Sequence, residues 1–140
     1  MEHTASKIMT AERVPAGRLL RVGVLAAVFS TITNTLVLAW VSSLFGPVII
    51  PPDEAVTFGQ VMAASVAGAV GAVVLFAAID RLVRRPMRVF WGIAAVGLLL
   101  SFLPIVLTGV TGLSAGALAL MHVVAAATNV GLLTALAGKR

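Results

Sequence analysis

The sequence predicts an all-α, polytopic membrane protein whose four transmembrane helices form an up-and-down bundle. Three observations predict it. The 140 residues are 60% hydrophobic and 11% charged, whereas soluble domains are about half apolar and about a quarter charged. The apolar residues fall into four runs, each near the roughly 20 residues that a span requires. The positive charges lie on one side of that pattern. Lys7, Arg13, Arg18 and Arg21 precede the first run, Arg81, Arg84, Arg85 and Arg88 separate the second from the third, and Lys139 and Arg140 follow the fourth. The other two connections hold no Lys or Arg, only Asp53 and Glu54. Lys and Arg beside spans are retained in the cytoplasm, so the expected topology is multi-pass in the inner (plasma) membrane with both termini cytoplasmic.

Residues 1–17 read as a short polar cytoplasmic tail, and residues 18–140 as one transmembrane domain. The first helix is expected over 18–45, with Trp40 near its outer end, where an amphipathic ring favours the interface. Its apolar core is longer than a cleavable signal core and carries Asn34 in the middle. Gly46-Pro47 stops it. The stretch from Val48 to Pro52 is apolar but proline-rich, which disfavours helix and ladder pairing, so an extended loop on the outer surface is expected.

Thr57-Phe58-Gly59-Gln60 has capping-box spacing and starts the second helix, expected over 57–82. Ala64, Gly68 and Ala72 recur every four residues on it. Such small faces let helix backbones approach closely in lipid, so these three are the expected helix-packing residues. Pro86 suits the first turn of the third helix, expected over 86–107 with Trp91 as inner anchor. Pro104 removes the N–H that would bond the carbonyl of Leu100, predicting a kink or early end there. Ser114 is the expected cap of the fourth helix, over 114–137.

Polar side chains at membrane depth are the candidate functional residues, because each costs energy there unless paired. They are Asn34 in the first helix, Ser65 in the second, Ser101 in the third, and His122 and Asn129 in the fourth. All fall within roughly one or two turns of the midplane at about 1.5 Å per residue. His122 and Asn129 are seven apart and share a face; Gly23, Ala27, Ser30 and Asn34 share another. The simplest packing turns these faces inward into one polar patch. Asn and Ser serve commonly as interhelical glue, and Ser or Thr also bonds the carbonyl one turn back. His122 differs, as the only ionisable side chain expected to be buried at membrane depth in a span. Such groups are functional candidates by default, and imidazole exchanges protons near neutral pH.

Several chemistries find no residues. The chain has no cysteine, which removes disulfides, thiolate metal sites and thiol–quinone chemistry. Bis-histidine haem needs two axial imidazoles, and His3 lies in the tail. Metal sites want three or four ligands, so no metal and no cofactor is expected. No carboxylate lies at membrane depth to serve a Ser-His-Asp set or a proton-coupled exporter. The net charge of +5 is accounted for by the basic belt. That belt attracts anionic lipid headgroups, and no nucleic-acid partner is expected.

The segments Arg84-Arg85-Pro86-Met87-Arg88-Val89-Phe90, Leu100-Ser101-Phe102-Leu103-Pro104 and Met121-His122-Val123-Val124-Ala125-Ala126 resemble a family of small bacterial four-helix membrane proteins classed as a domain of unknown function. The resemblance runs from about Arg18 to the end. It implies the four-helix fold and makes His122 a characteristic position, and it brings no activity. Where the family's pattern has a second proline after Pro104 and another late in the last helix, this chain has Ile105 and the stretch from Thr128 to Gly131.

These observations lead first to a non-enzymatic structural or interaction protein of the membrane, self-associating or paired with another membrane protein through the small-residue face. A second reading is small-molecule or proton binding and transport at the patch around His122 and Asn34. A third, resting on fold analogy alone, is a quinone- or haem-linked oxidoreductase component.

Overall fold

The computed structural model describes residues 13–110 and 112–137. Lys7, His3, Thr111, Lys139, Arg140 and most of the expected tail lie outside them. The element order is α1 (Ala16–Phe45), β1 (Ile49–Ile50), β2 (Glu54–Ala55), α2 (Phe58–Leu82), α3 (Pro86–Ser101), α4 (Leu103–Leu107) and α5 (Gly112–Leu132), which passes into a π turn at Leu133–Ala137. Among the described residues, four helical stretches of 30, 25, 22 and 26 residues are long and apolar enough to cross a membrane. At about 1.5 Å per residue each exceeds the roughly 30 Å of a hydrocarbon core.

The helices form where they are expected, for local reasons. Pro86 opens α3 at its first position, where a missing N–H costs nothing. The Thr57 hydroxyl accepts from the Gln60 N–H at 3.2 Å, and the Gln60 side chain accepts from the Thr57 N–H at 2.8 Å. Thr57→Ala removes half of this box and is expected to cost about 1 kcal/mol. Faster amide exchange confined to the first turn of α2 would record it.

The third span breaks ahead of Pro104. α3 ends at Ser101, and the N–H of Phe102 turns to the carbonyl of Leu99 at 3.2 Å, closing a tighter turn before α4 begins. Two other features depart from the expected outline. The segment after α1 is an antiparallel hairpin, pairing Ile49 with Ala55 and Ile50 with Glu54. Its prolines sit at the reversal, outside the ladder, and Asp53 takes φ 77° there, a region Asp tolerates. Ser114 does not cap the last helix. α5 starts at Gly112, which takes φ 59°, and the Ser114 hydroxyl accepts from the Ile49 N–H at 3.0 Å, pinning the hairpin. The π turn at the end of α5 contains Thr134, whose hydroxyl donates to the carbonyls of Val130 and Gly131 and so competes with the backbone ladder.

The helices meet through two apolar clusters. One, at the end where the arginines lie, joins Leu19 and Val22 of α1, Phe76 and Ile79 of α2, Phe90 of α3, and Val130 and Leu133. The other, at the hairpin end, joins Leu38, Val41, Val48, Val61, Ala117 and Met121. Early α1 residues thus meet late α2 and α5 residues, so α1 runs antiparallel to both. α3 is the loosely held element. The apolar window of the third span, α3 with α4, is 6% buried, against 28% for α1 and for the last span. Trp40 and Trp91 are both exposed, near opposite ends of the spans. Asp80, at the arginine end, accepts from the Val14 N–H at 2.9 Å and ties the entry of α1 to the end of α2.

Candidate functional site in the middle of the spans

Between the two apolar clusters lies a polar layer. α1 buries one face at Val22, Ala26, Ser30, Asn34, Leu38 and Val41, a four-residue recurrence with one closing step of three. That register sets Ser30 and Asn34 one turn apart on the inner face. The Asn34 side-chain N–H donates to the Ser65 hydroxyl at 3.1 Å. The Ser30 hydroxyl donates to Oδ1 of Asn129 at 3.3 Å. All four residues are 5% exposed or less. α1 is thereby bonded to α2 and to α5 at the same depth. Interhelical bonds of this kind contribute about 0.6 kcal/mol on average, so they fix register more than they hold the helices together.

The layer does not satisfy itself. Oδ1 of Asn34 and the Thr31 hydroxyl are buried with no hydrogen-bond partner. A buried unpaired acceptor costs about 1–3 kcal/mol.

Beside this layer is a cavity of about 660 Å³. Asn34, Ser65, Ser101, His122 and Asn129, drawn from α1, α2, α3 and α5, all line it. The hairpin contributes Ile50 and Val56 at one end, and Phe90 and Leu75 lie toward the other. Sequence reasoning did not reach these four, nor Ile93 and Gly97 on α3. They carry no polar atom at depth, and their sole signal is that Gly97 leaves room. None of the described residues lining the cavity is Asp, Glu, Lys or Arg. Of the residue types that hold metals, the described lining has His122 alone.

The small-residue face of α2 also lies here. Ala64, Gly68 and Ala72 line the cavity, while Val61, Ser65, Ala69 and Phe76 form the buried face of the same helix. A methyl group at Gly68 would meet Nδ2 of Asn129 at 3.8 Å, an ordinary contact.

His122 does not bond Asn34 or a serine. Its Nδ1 lies 2.7 Å from the carbonyl of Leu118, one turn back on its own helix, and its ring stands 6.3 Å from that of Phe102. The carbonyl can only accept, so Nδ1 carries the hydrogen and donates. In the neutral imidazole, Nε2 is then an acceptor. Ser101 likewise donates to its own helix, to the Leu98 carbonyl at 2.6 Å.

No curated protein and no solved structure matches the chain. Residues 14–139, nearly all of the described span, match the model of a family of unknown function, DUF6069, and the chain belongs to that family.

Proposed function

We propose that this is a multi-pass inner-membrane protein, with both termini cytoplasmic, whose four helices form a bundle around a binding site for a small, largely apolar molecule. One observation carries the reading. Five polar side chains at the depth of the polar layer, from four helices, line a single cavity whose other walls are apolar apart from Gln60 near the hairpin. Small-molecule sites combine apolar walls with a few placed polar groups, and about 660 Å³ lies within their usual range. The arginines at one end support the orientation and an attraction to anionic headgroups there.

The placement of Gly68 separates this reading from a purely structural one. If the face of Ala64, Gly68 and Ala72 serves helix packing, Gly68→Leu disrupts the fold or its assembly. On the proposed reading the leucine enters the cavity instead. The expected result is an unchanged melting temperature in mild detergent, with at least about a tenfold loss of affinity for any molecule the wild type retains, equivalent to about 1.4 kcal/mol. Native mass spectrometry of wild type and variant reads both oligomeric state and retained mass. A variant that unfolds or changes its assembly would overturn the binding reading.

A further inference from the structure

The cavity reading leaves open what kind of molecule fits, and the hydrogen-bond inventory of the walls narrows it. The Leu118 carbonyl takes the hydrogen of His122 Nδ1 at 2.7 Å, so the neutral ring keeps its lone pair on Nε2. Nε2 has no hydrogen-bond partner among the described residues and is not among their enclosed polar atoms. The Ser101 hydrogen is committed to the Leu98 carbonyl, leaving only acceptor capacity. The Ser65 hydroxyl accepts from Asn34 and keeps its own hydrogen to donate. Nδ2 of Asn129, beside Gly68, is a donor whose amide oxygen is held by Ser30.

The positions of these groups matter as much as their number. His122 and Asn129 are seven residues apart, about 10 Å along the helix at 1.5 Å per residue. The Ser30–Asn129 bond and the antiparallel run of α1 set Asn34 level with about Ala125, one turn from His122. The half of the cavity nearer the hairpin therefore presents Nε2 of His122 and the Ser101 oxygen as acceptors, beside the Gln60 side-chain amide, and Nδ2 of Asn129 lies at the other end of the polar layer. No Asp, Glu, Lys or Arg among the described lining residues would neutralise a charged headgroup or an imidazolium, and an isolated charge in such walls is very costly.

We infer that the molecule is neutral and apolar and bears a hydroxyl group whose O–H is donated to Nε2 of His122. A ketone, ester, ether or quinone of the same shape has no hydrogen to give there and would leave Nε2 dry and unpaired. The site thus selects the hydroxyl-bearing form of an apolar molecule over its keto or ether form. The inference rests on the cavity being a binding site. A phenolic and an aliphatic alcohol share the chemistry, and the test separates them.

The chain has two histidines, so His3→Gln leaves His122 as the only imidazole. The protein is labelled with ring-¹⁵N histidine and placed in phosphatidylcholine nanodiscs. Without a probe, the spectrum is expected to show a protonated Nδ1 and a bare Nε2. It is then titrated with 2-naphthol and 2-methoxynaphthalene, and with 1-decanol and 1-methoxydecane, with empty nanodiscs as the partition control. At least one alcohol is expected to shift the Nε2 resonance saturably, and its ether is not. Whichever alcohol does so identifies the phenolic or the aliphatic class. His122→Leu should weaken that alcohol about tenfold and leave its ether unchanged. A proton found on Nε2 instead of Nδ1 overturns the inference. Alcohol and ether that stabilise the protein equally with Nε2 unmoved overturn it while the cavity remains a binding site. No saturable effect from any of the four overturns the cavity reading as well.

Discussion

Phe76→Ala is expected to lower stability by about 3 kcal/mol. Phe76 is 0% exposed and meets Phe90 edge to face, with ring centroids 5.2 Å apart and planes at 86°. In lipid the transfer part of the cost shrinks, because lipid tails are as apolar as the residues they replace. What remains is the packing part: an aromatic ring removed from the arginine-end cluster leaves a void that its neighbours fill only in part. The effect extends beyond stability. Phe90 and Pro86 are the buried residues of α3, so the Phe76–Phe90 contact is what fixes α3 against α2 at that end. Loosening it should let α3 move and should weaken binding in the cavity that α3 walls. Reversible unfolding in mixed micelles, for Phe76→Ala, Phe90→Ala and the double variant, checks this. A coupling of about 0.5–1.5 kcal/mol is expected for the ring pair. Additive losses would mean that the two rings act separately, and an unchanged midpoint for Phe76→Ala would mean that this cluster does not hold the helices together.

The parts of this architecture that the bilayer imposes were legible in the residues. Span length and the proline and capping signals follow from one-dimensional rules, and Ala16–Phe45, Phe58–Leu82 and the break ahead of Pro104 correspond to them closely. The five polar candidates were legible for the same reason: a polar atom at depth is conspicuous in an apolar run. What each one bonds was not. His122 satisfies Nδ1 on its own helix, while Ser30 and Ser65 reach across to other helices. Either choice fits the sequence, because it depends on rotamer and helix rotation. The face of Ala64, Gly68 and Ala72 illustrates the limit most clearly. A stripe without side chains reads alike whether a backbone or a cavity lies against it, and the buried register of α2 falls one residue later, through Ser65 and Ala69. The hairpin was hidden by its prolines, which argue against a strand when the reversal that holds them is not known. Ser114 was misread as a cap because the partner that uses it, the Ile49 N–H, is 65 residues away.

A second large effect is expected at Gly23, where α1 packs closely against Val73 of α2. A Cβ built there would stand 2.8 Å from Cγ2 of Val73, and 3.7 and 3.8 Å from its Cβ and Cγ1. Valine in a helix is stiff at χ1, so Val73 cannot rotate out of the way and the helices themselves must part. Overpacking of this kind costs about 1–3 kcal/mol, and Gly23→Ala is expected to fall in that range, with Gly23→Leu above it. The separation would also be felt about two to three turns along α1, where Ser30 and Asn34 make their bonds to α5 and α2. Those bonds have little slack, at 3.3 and 3.1 Å. Gly23→Ala should therefore disturb the polar layer as well as the helix contact. Val73→Ala removes the atoms in the way and should restore most of the loss when combined with Gly23→Ala, although alone it leaves a small void. Rescue in the double variant would assign the cost to this one contact. Destabilisation without rescue would assign it instead to the backbone of α1, and a fully stable Gly23→Ala would mean that α1 and α2 lie farther apart in the membrane than their side-chain packing requires.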